Sequence, residues 1–308
     1  TRKESSAASD VYKRQAEAYW PRFTTRQRDR YADTATGQDL LPAQDEGAAH
    51  HHRLLPRLGA SLRLGTGRAL HWAWQESVRA PGTHTLSPVA TGAIAVDNQY
   101  LLTGSYARKH AVQLDWEASP TTFWAASLSG QRISNLVAAN GRLFAQNTGA
   151  LFDNVATIAP VVLNAQTTLN TYEETPLFGQ GQLAQATVSV NHLLGPRWSV
   201  LGSYTHTTSH NTGAGLEGRW LPGFASHVVL GQTTWRHEAR SFSLLRLTWR
   251  GMRYSDEANT VQRAPGWSLA LAHGWESQDR RWSFTGTVQT GLRTGERPTL
   301  WALVRYRD

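Results

Sequence analysis

The chain has 308 residues, a net charge of +8, 40% hydrophobic and 18% charged residues, and no cysteine. This balance excludes a disordered polyelectrolyte, and the missing thiols exclude a disulfide scaffold, a thiolate metal site and a cysteine nucleophile. No apolar run approaches the roughly 18 residues of a spanning helix, yet the polar chain (mean hydropathy -0.45) carries 13 Trp and 9 Tyr.

The amino end is basic, with Arg14, Arg22, Arg26, Arg28 and Arg30, and has no apolar signal core. The stretch 5–15 resembles the translation of a sequencing adapter, so residues 1–15 are expected to be a disordered or non-native tail. Residues 16–308 then form one domain, with no Pro/Ser-rich linker inside it. A weak strand is expected over 17–30, followed by a polar loop over 32–52. That loop ends in His50, His51 and His52, a tract that could bind Zn²⁺, Cu²⁺ or Ni²⁺ but reads best as a solvated tip.

From residue 53 onward the period is two. Strands are expected at 53–64, 69–78, 108–117, 122–133, 179–192, 198–208, 225–236, 242–254, 266–276, 281–292 and 299–307, twelve with the first. In 108–117, Val112, Leu114 and Trp116 oppose Lys109, Gln113, Asp115 and Glu117. In 266–276, Trp267, Leu269, Leu271, His273 and Trp275 oppose Ser268, Ala270, Ala272 and Gly274. Strict alternation gives each strand one apolar and one polar face. The segments exceed the usual strand length of about 5–6 residues and match tilted membrane-spanning strands. Trp267 and Trp275 are eight residues apart, about 26 Å along a strand at ~3.3 Å per residue. With tilt, that approaches the ~25 Å apolar band of an outer-membrane barrel.

Connections alternate between short turns (65–67, 118–121, 194–197, 236–241, 277–280) and long segments (79–107, 134–178, 209–224, 255–265). Short periplasmic turns and long extracellular loops are barrel parity. Trp116, Trp124, Trp198, Trp235, Trp275 and Trp282 sit beside the short turns, where indole suits the membrane interface. With Trp267 they are the expected aromatic girdle. The fold class is therefore an all-β antiparallel transmembrane barrel, or part of one, with about twelve long strands. A soluble all-β binding module, a sandwich or propeller, is the alternative, although no fixed-period repeat supports a propeller.

Several stretches carry a family likeness. Leu55-Pro56-Arg57-Leu58-Gly59 with Val78-Arg79-Ala80-Pro81 resembles the mid-barrel hairpin of TonB-dependent outer-membrane receptors. Arg219-Trp220-Leu221-Pro222-Gly223-Phe224 resembles a late extracellular loop of that family. Tyr254-Ser255-Asp256-Glu257-Ala258-Asn259 and Pro265-Gly266-Trp267 resemble the next loop and strand entry. The resemblance spans about 53–308 and implies the carboxyl-terminal half of a 22-stranded barrel. It also implies an outer-membrane location and a small solute such as a siderophore. Outer-membrane lipid and lipopolysaccharide, and a plug or energy-coupling partner, would be its other partners. Val288-Gln289-Thr290-Gly291-Leu292 lacks the family's Asn-Leu-Phe element, and Tyr306 stands two positions in from the end where a terminal aromatic is common. Barrels attached to tetratricopeptide repeats look similar.

Other motifs carry little chemistry. Glu173-Glu174 and Asp256-Glu257 read as solvated charges, because neighbours on an extended chain point apart. Gly213–Gly218 imitates a phosphate loop without a following helix. Ser209 and His210 are adjacent but lack a third group. No enzyme, no cofactor and no nucleic-acid partner is expected.

Overall fold

The computed structural model describes residues 12–19, 22–29, 44–52, 54–78, 90–91, 94–95, 106–134, 178–237, 240–279, 281–292 and 298–306. These are strands and their connections: β1 (Tyr12–Tyr19), β2 (Arg22–Asp29), β3 (Gln44–His52), β4 (Leu55–Gly65), β5 (Arg68–Val78), β6 (Ala90–Thr91), β7 (Ile94–Ala95), β8 (Tyr106–Ser119), β9 (Thr122–Ser134), β10 (Gln180–Leu193), β11 (Trp198–Asn211), β12 (His227–Arg236), β13 (Ser241–Arg250), β14 (Arg253–Tyr254), β15 (Gln262–Arg263), β16 (Gly266–Glu276), β17 (Trp282–Gly291) and β18 (Thr299–Tyr306).

One antiparallel sheet of 12 strands runs in the order β1-β4-β5-β8-β9-β10-β11-β12-β13-β16-β17-β18. From β4 onward each strand pairs with the next long strand in sequence, because hairpin connections place successive strands side by side. The expected strands from 53 onward match this sheet to within a few residues. The amino end departs from expectation. The segment 17–30 breaks in two: β1 begins at Tyr12 and pairs with β4, whereas β2 pairs with β3 in a separate ribbon. The segment 32–52, expected as loop, therefore holds a strand that contains His50, His51 and His52. The run 242–254 is likewise interrupted. Its last two residues form β14, which turns back to pair with β15.

The register puts the apolar side chains in continuous rows. Trp72 opposes Val112, which opposes Leu128, while Leu247 opposes Leu269 and Leu271 opposes Val288. These rows are not covered. Leu271 is 48% exposed, Trp267 44% and Trp275 46%, and Leu128 and Leu300 are more exposed still. The alternate residues are the buried ones: Gln75, Gln131, Thr207, Ser209, Arg246, Thr248 and Thr287. A water-soluble sheet hides its apolar face; this sheet does the reverse, which is the pattern of a lipid-facing barrel wall. It also speaks against the sandwich alternative, because among the described residues no second layer lies over Trp267 or Trp275. One continuous sheet is not a propeller's set of separate blades.

The short turns are tight. At 65–67, Gly65 and Gly67 take φ of 132° and 70°, which a side chain resists. A Cβ on Gly67 would also lie 2.8 Å from the backbone oxygen of Glu117. Gly67→Ala should therefore destabilise the β4–β5 hairpin by about 1–3 kcal/mol. Urea unfolding monitored in detergent micelles would show the midpoint fall, and an unchanged midpoint would contradict this turn geometry.

Candidate functional site

Two surfaces and one lid define what this molecule can do. The first surface is the inner face, where polar side chains alternate with small residues and a few apolar ones such as Leu201, Leu230 and Leu244. On β4, β5 and β8 these residues form a cross-strand line. Ser61 Oγ lies 2.8 Å from His71 Nδ1, His71 Nε2 lies 3.2 Å from Asp115 Oδ2, and Gln113 Nε2 donates to Asp115 Oδ1 at 2.8 Å. Donation from Nε2 to Asp115 leaves Nδ1 to accept from the Ser61 hydroxyl. Further along, Gln185 Nε2 donates to Thr207 Oγ1 at 3.3 Å, and the hydroxyls of Thr187 and Thr205 are 3.0 Å apart. Arg246 Nε donates to Gln232 Oε1 at 2.9 Å. Strand parity puts Arg57, Arg63, Lys109, Arg236, Arg246, Arg250 and Arg305 on this face, against Asp115, Glu117 and Glu276 near the short turns. Among the described residues, cations outnumber anions on this face.

The second surface is the outer one. All the tryptophans expected in the girdle lie on it and are exposed. Trp116 opposes Trp124 across β8–β9, with the Arg68 guanidinium 5.2 Å from the Trp116 ring. Trp198 stacks on Trp235 at 5.3 Å and 10°, and Trp282 meets Tyr306 at 4.8 Å. With Trp275 these lie at the short-turn end. Trp267 does not: it lies at the loop end, opposite Trp249. The outer face is not wholly apolar near the loops, where Glu76, 6% exposed, accepts from Arg108 Nε at 2.8 Å.

The lid comes from the loops after β11 and β13, with Phe178 from just before β10, folded over the loop end of the inner face. Leu221 and Phe178 are fully buried and pack with Phe224 against Ala107, Ile133 and Leu183 of the sheet. Gly181 permits this approach, because a Cβ there would sit 2.5 Å from a Leu221 methyl. Two polar side chains hold the lid, and a third closes a turn within it. Glu257 Oε1 accepts from Gly179 N and Asn211 Nδ2, both at 2.9 Å. Asn259 brackets Trp220, accepting from its N–H at 2.8 Å and donating to its carbonyl at 2.9 Å. Asp256 accepts from the backbone N–H groups of Thr260 at 3.0 Å and Val261 at 2.8 Å. Arg219 donates to the Ala258 carbonyl. On the sheet's other flank, Ile94 of β7 packs on Ala73 and Ala111.

One sequence expectation is corrected by the structure. Glu257 is not merely solvated: it anchors the lid to Gly179 and Asn211, 78 and 46 residues away, whereas Asp256 closes its own turn through Thr260 and Val261. Gly213–Gly218 forms turns, with Leu216 N donating to Gly213 O at 3.0 Å. Ser209 and His210 face opposite sides of β11. Ser209 is buried and accepts from Leu221 N at 3.2 Å, so the two do not form a catalytic pair. Glu173 and Glu174 lie outside the described residues.

No protein-family model matches the sequence, and no curated protein does. Solved structures do match by shape. The ferric-catecholate import receptor Fiu from Escherichia coli K12 superposes with a TM-score of 0.52 at 14% identity, covering 97% of this chain and 43% of that one. The ferric yersiniabactin uptake receptor FyuA from Yersinia pestis gives 0.54 at 10% identity, covering 97% and 42%. The siderophore receptor PiuA from Acinetobacter baumannii gives 0.53 at 11%, covering 96% and 41%. The chain thus has the fold of the TonB-dependent receptor barrel, as its motifs implied, over about two fifths of those receptors' length.

The turn that Asp256 closes is expected to loosen in strong acid. The Thr260 and Val261 N–H groups hold the Asp256 carboxyl below its ordinary value of 3.8. That contribution is complete above the ordinary value and is lost as pH falls through the lower folded one. Hydrogen-exchange protection factors at Thr260 and Val261, with the intrinsic pH dependence divided out, should hold at pH 5 and fall only in stronger acid. Asp256→Asn should remove that dependence, and a transition near neutral pH would contradict it. Glu257→Ala, which strands the Asn211 amide in a buried site, should cost roughly 2–3 kcal/mol. Limited proteolysis at 212–226 reads that loss, and unchanged cleavage would contradict the anchor.

Proposed function

We propose that the chain is a carboxyl-terminal share of an outer-membrane receptor-type barrel that binds a small anionic solute and passes it along its polar face. The observation that carries this reading is the inverted burial: Trp267, Leu271 and Trp275 are exposed on one face of β16, while the opposite face carries the small Ser268, Ala270, Ala272 and Gly274 beside the buried Arg246 and Thr248 of β13. The outer face meets lipid, and the protein resides in the bacterial outer membrane. Trp116, Trp124, Trp198, Trp235, Trp275 and Trp282 form the girdle at the short-turn interface, and Trp267 with Trp249 marks the opposite one. Lipopolysaccharide meets the loop end, where Arg108 and Arg132 lie on the outer face. The solute belongs to the ferric-chelate class, which is often anionic and suits the cationic lining; Fiu, FyuA and PiuA support this by name. A plug and an energy-coupling partner belong to the same reading.

The membrane part is tested by migration and by substitution. The folded chain should run faster on gels before boiling than after, and should refold only in micelles or vesicles. Leu271→Arg should cost about 2–4 kcal/mol in vesicles, as charges do at mid-bilayer, whereas Gln289→Arg on the inner face should change little. A monodisperse, detergent-free monomer, or equal effects of the two substitutions, would contradict the reading. For the solute, a ferric catecholate should quench intrinsic fluorescence with severalfold weaker affinity in Arg246→Gln, and unaltered affinity would refute an Arg-lined path.

A further inference from the structure

We propose that Tyr204, His206 and His227 form a site for one divalent transition ion of the zinc–copper class on the outer face, at its loop-end edge. His206 and His227 are directly opposed, the last cross-strand pair of β11–β12. Their rings lie 4.8 Å apart with Nδ1 facing Nδ1 at 3.4 Å. The Tyr204 hydroxyl lies 2.8 Å from His227 Nδ1, its ring near-parallel to that imidazole at 6.0 Å. Two imidazole nitrogens and a phenol oxygen therefore converge on one small volume.

The spacing is that of metal ligands. A tetrahedral ion with Zn–N bonds of about 2.0–2.1 Å separates its donors by about 3.3–3.4 Å. The two Nδ1 atoms already hold that separation, and the Tyr204 oxygen, hydrogen-bonded to His227 Nδ1 at 2.8 Å, draws back by about 0.5 Å to reach it. Tyr204 supplies a third ligand on losing its proton, and water supplies the fourth. Imidazole and phenol suit zinc, copper and nickel; magnesium and calcium want carboxylates and carbonyls instead. Nowhere among the described residues do three or more His, Cys, Asp or Glu converge. This site reaches three donors because its third is a phenol.

The scaffold is rigid and wet at one side. Gly251 N donates to His227 O at 2.8 Å and Thr207 N to Ser226 O at 2.9 Å, which fixes the start of β12. Sites on pinned strands hold ligand geometry better than sites on loops. Tyr204 is in register with Val229, Val229 with Trp249 and Trp249 with Trp267. The histidine pair is one step loopward of that aromatic row, where aqueous ions reach it. It is on the opposite face from the Arg246 lining, so the site stands or falls apart from the solute path.

The test is zinc titration calorimetry on the full chain, folded in detergent micelles and stripped with EDTA. A background carrying His50→Ala, His51→Ala and His52→Ala removes the histidine tract as a competitor. That background should bind one Zn²⁺ at pH 7.5. His206→Ala and His227→Ala should each weaken binding at least tenfold, and Tyr204→Phe severalfold, with unchanged far-UV circular dichroism. Cu²⁺ should show electron paramagnetic resonance coupling to two nitrogens that His227→Ala reduces to one. If an alanine variant fails to fold, His227→Gln replaces it and should show the same loss. A background with no zinc uptake overturns the proposal, as does undiminished affinity in folded His206→Ala or His227→Gln.

Discussion

The constraint that governs this molecule is the pairing of every long strand with its neighbours, which satisfies backbone N–H and C=O groups without help from side chains. Once the backbone is satisfied laterally, the two faces are free to answer to different surroundings. A bilayer tolerates only such structures, since an unpaired peptide group in hydrocarbon costs several kcal/mol. The ladder from β4 to β18 is continuous, interrupted only by the register shifts between Arg63 and Gly65 and between Glu117 and Ser119. Both lie at turn ends, outside the rows that hold Leu271, Val288 and Leu245.

The inner face shows the complementary economy. Several of its polar groups find partners across strands: Ser61 with His71, His71 with Asp115, Arg246 with Gln232. The lid follows the opposite logic. Leu221, Phe178 and Phe224 make a small conventional apolar core at the loop end, held by the acceptors of Glu257 and Asn259. A polar face under an apolar, hydrogen-bonded cover is the arrangement on which the proposed solute path rests.

Much of the sheet was legible because period two survives any tertiary arrangement. Val112, Leu114 and Trp116 had to share a face, and length separated these strands from those of a sandwich. The amino end was not legible. Residues 17–30 and 44–52 lack clear alternation, so nothing local marks the break between β1 and β2 or puts His50–His52 in a strand. The lid was hidden for another reason. Glu257 acts through Gly179 and Asn211, contacts set by the fold rather than by neighbours in sequence, and an adjacent acidic pair reads as solvated until those partners are known. The likeness of Arg219–Phe224 and Tyr254–Asn259 to receptor loops was the one signal that pointed to these segments. The Tyr204–His206–His227 cluster was equally invisible, because His206 and His227 are 21 residues apart and meet only through the β11–β12 register.

The account rests on which face meets lipid, and the cysteine-free chain allows a direct measurement. Single cysteines placed by Leu271→Cys, Val288→Cys, Ser268→Cys and Gln289→Cys, spin-labelled in phospholipid vesicles, report collision with oxygen or with a water-soluble nickel chelate. Labels at 271 and 288 should be reached preferentially by oxygen, which concentrates in hydrocarbon, and labels at 268 and 289 by the chelate. Equal chelate access at all four positions, or the reverse alternation, would contradict the outward-facing apolar surface and the function built on it.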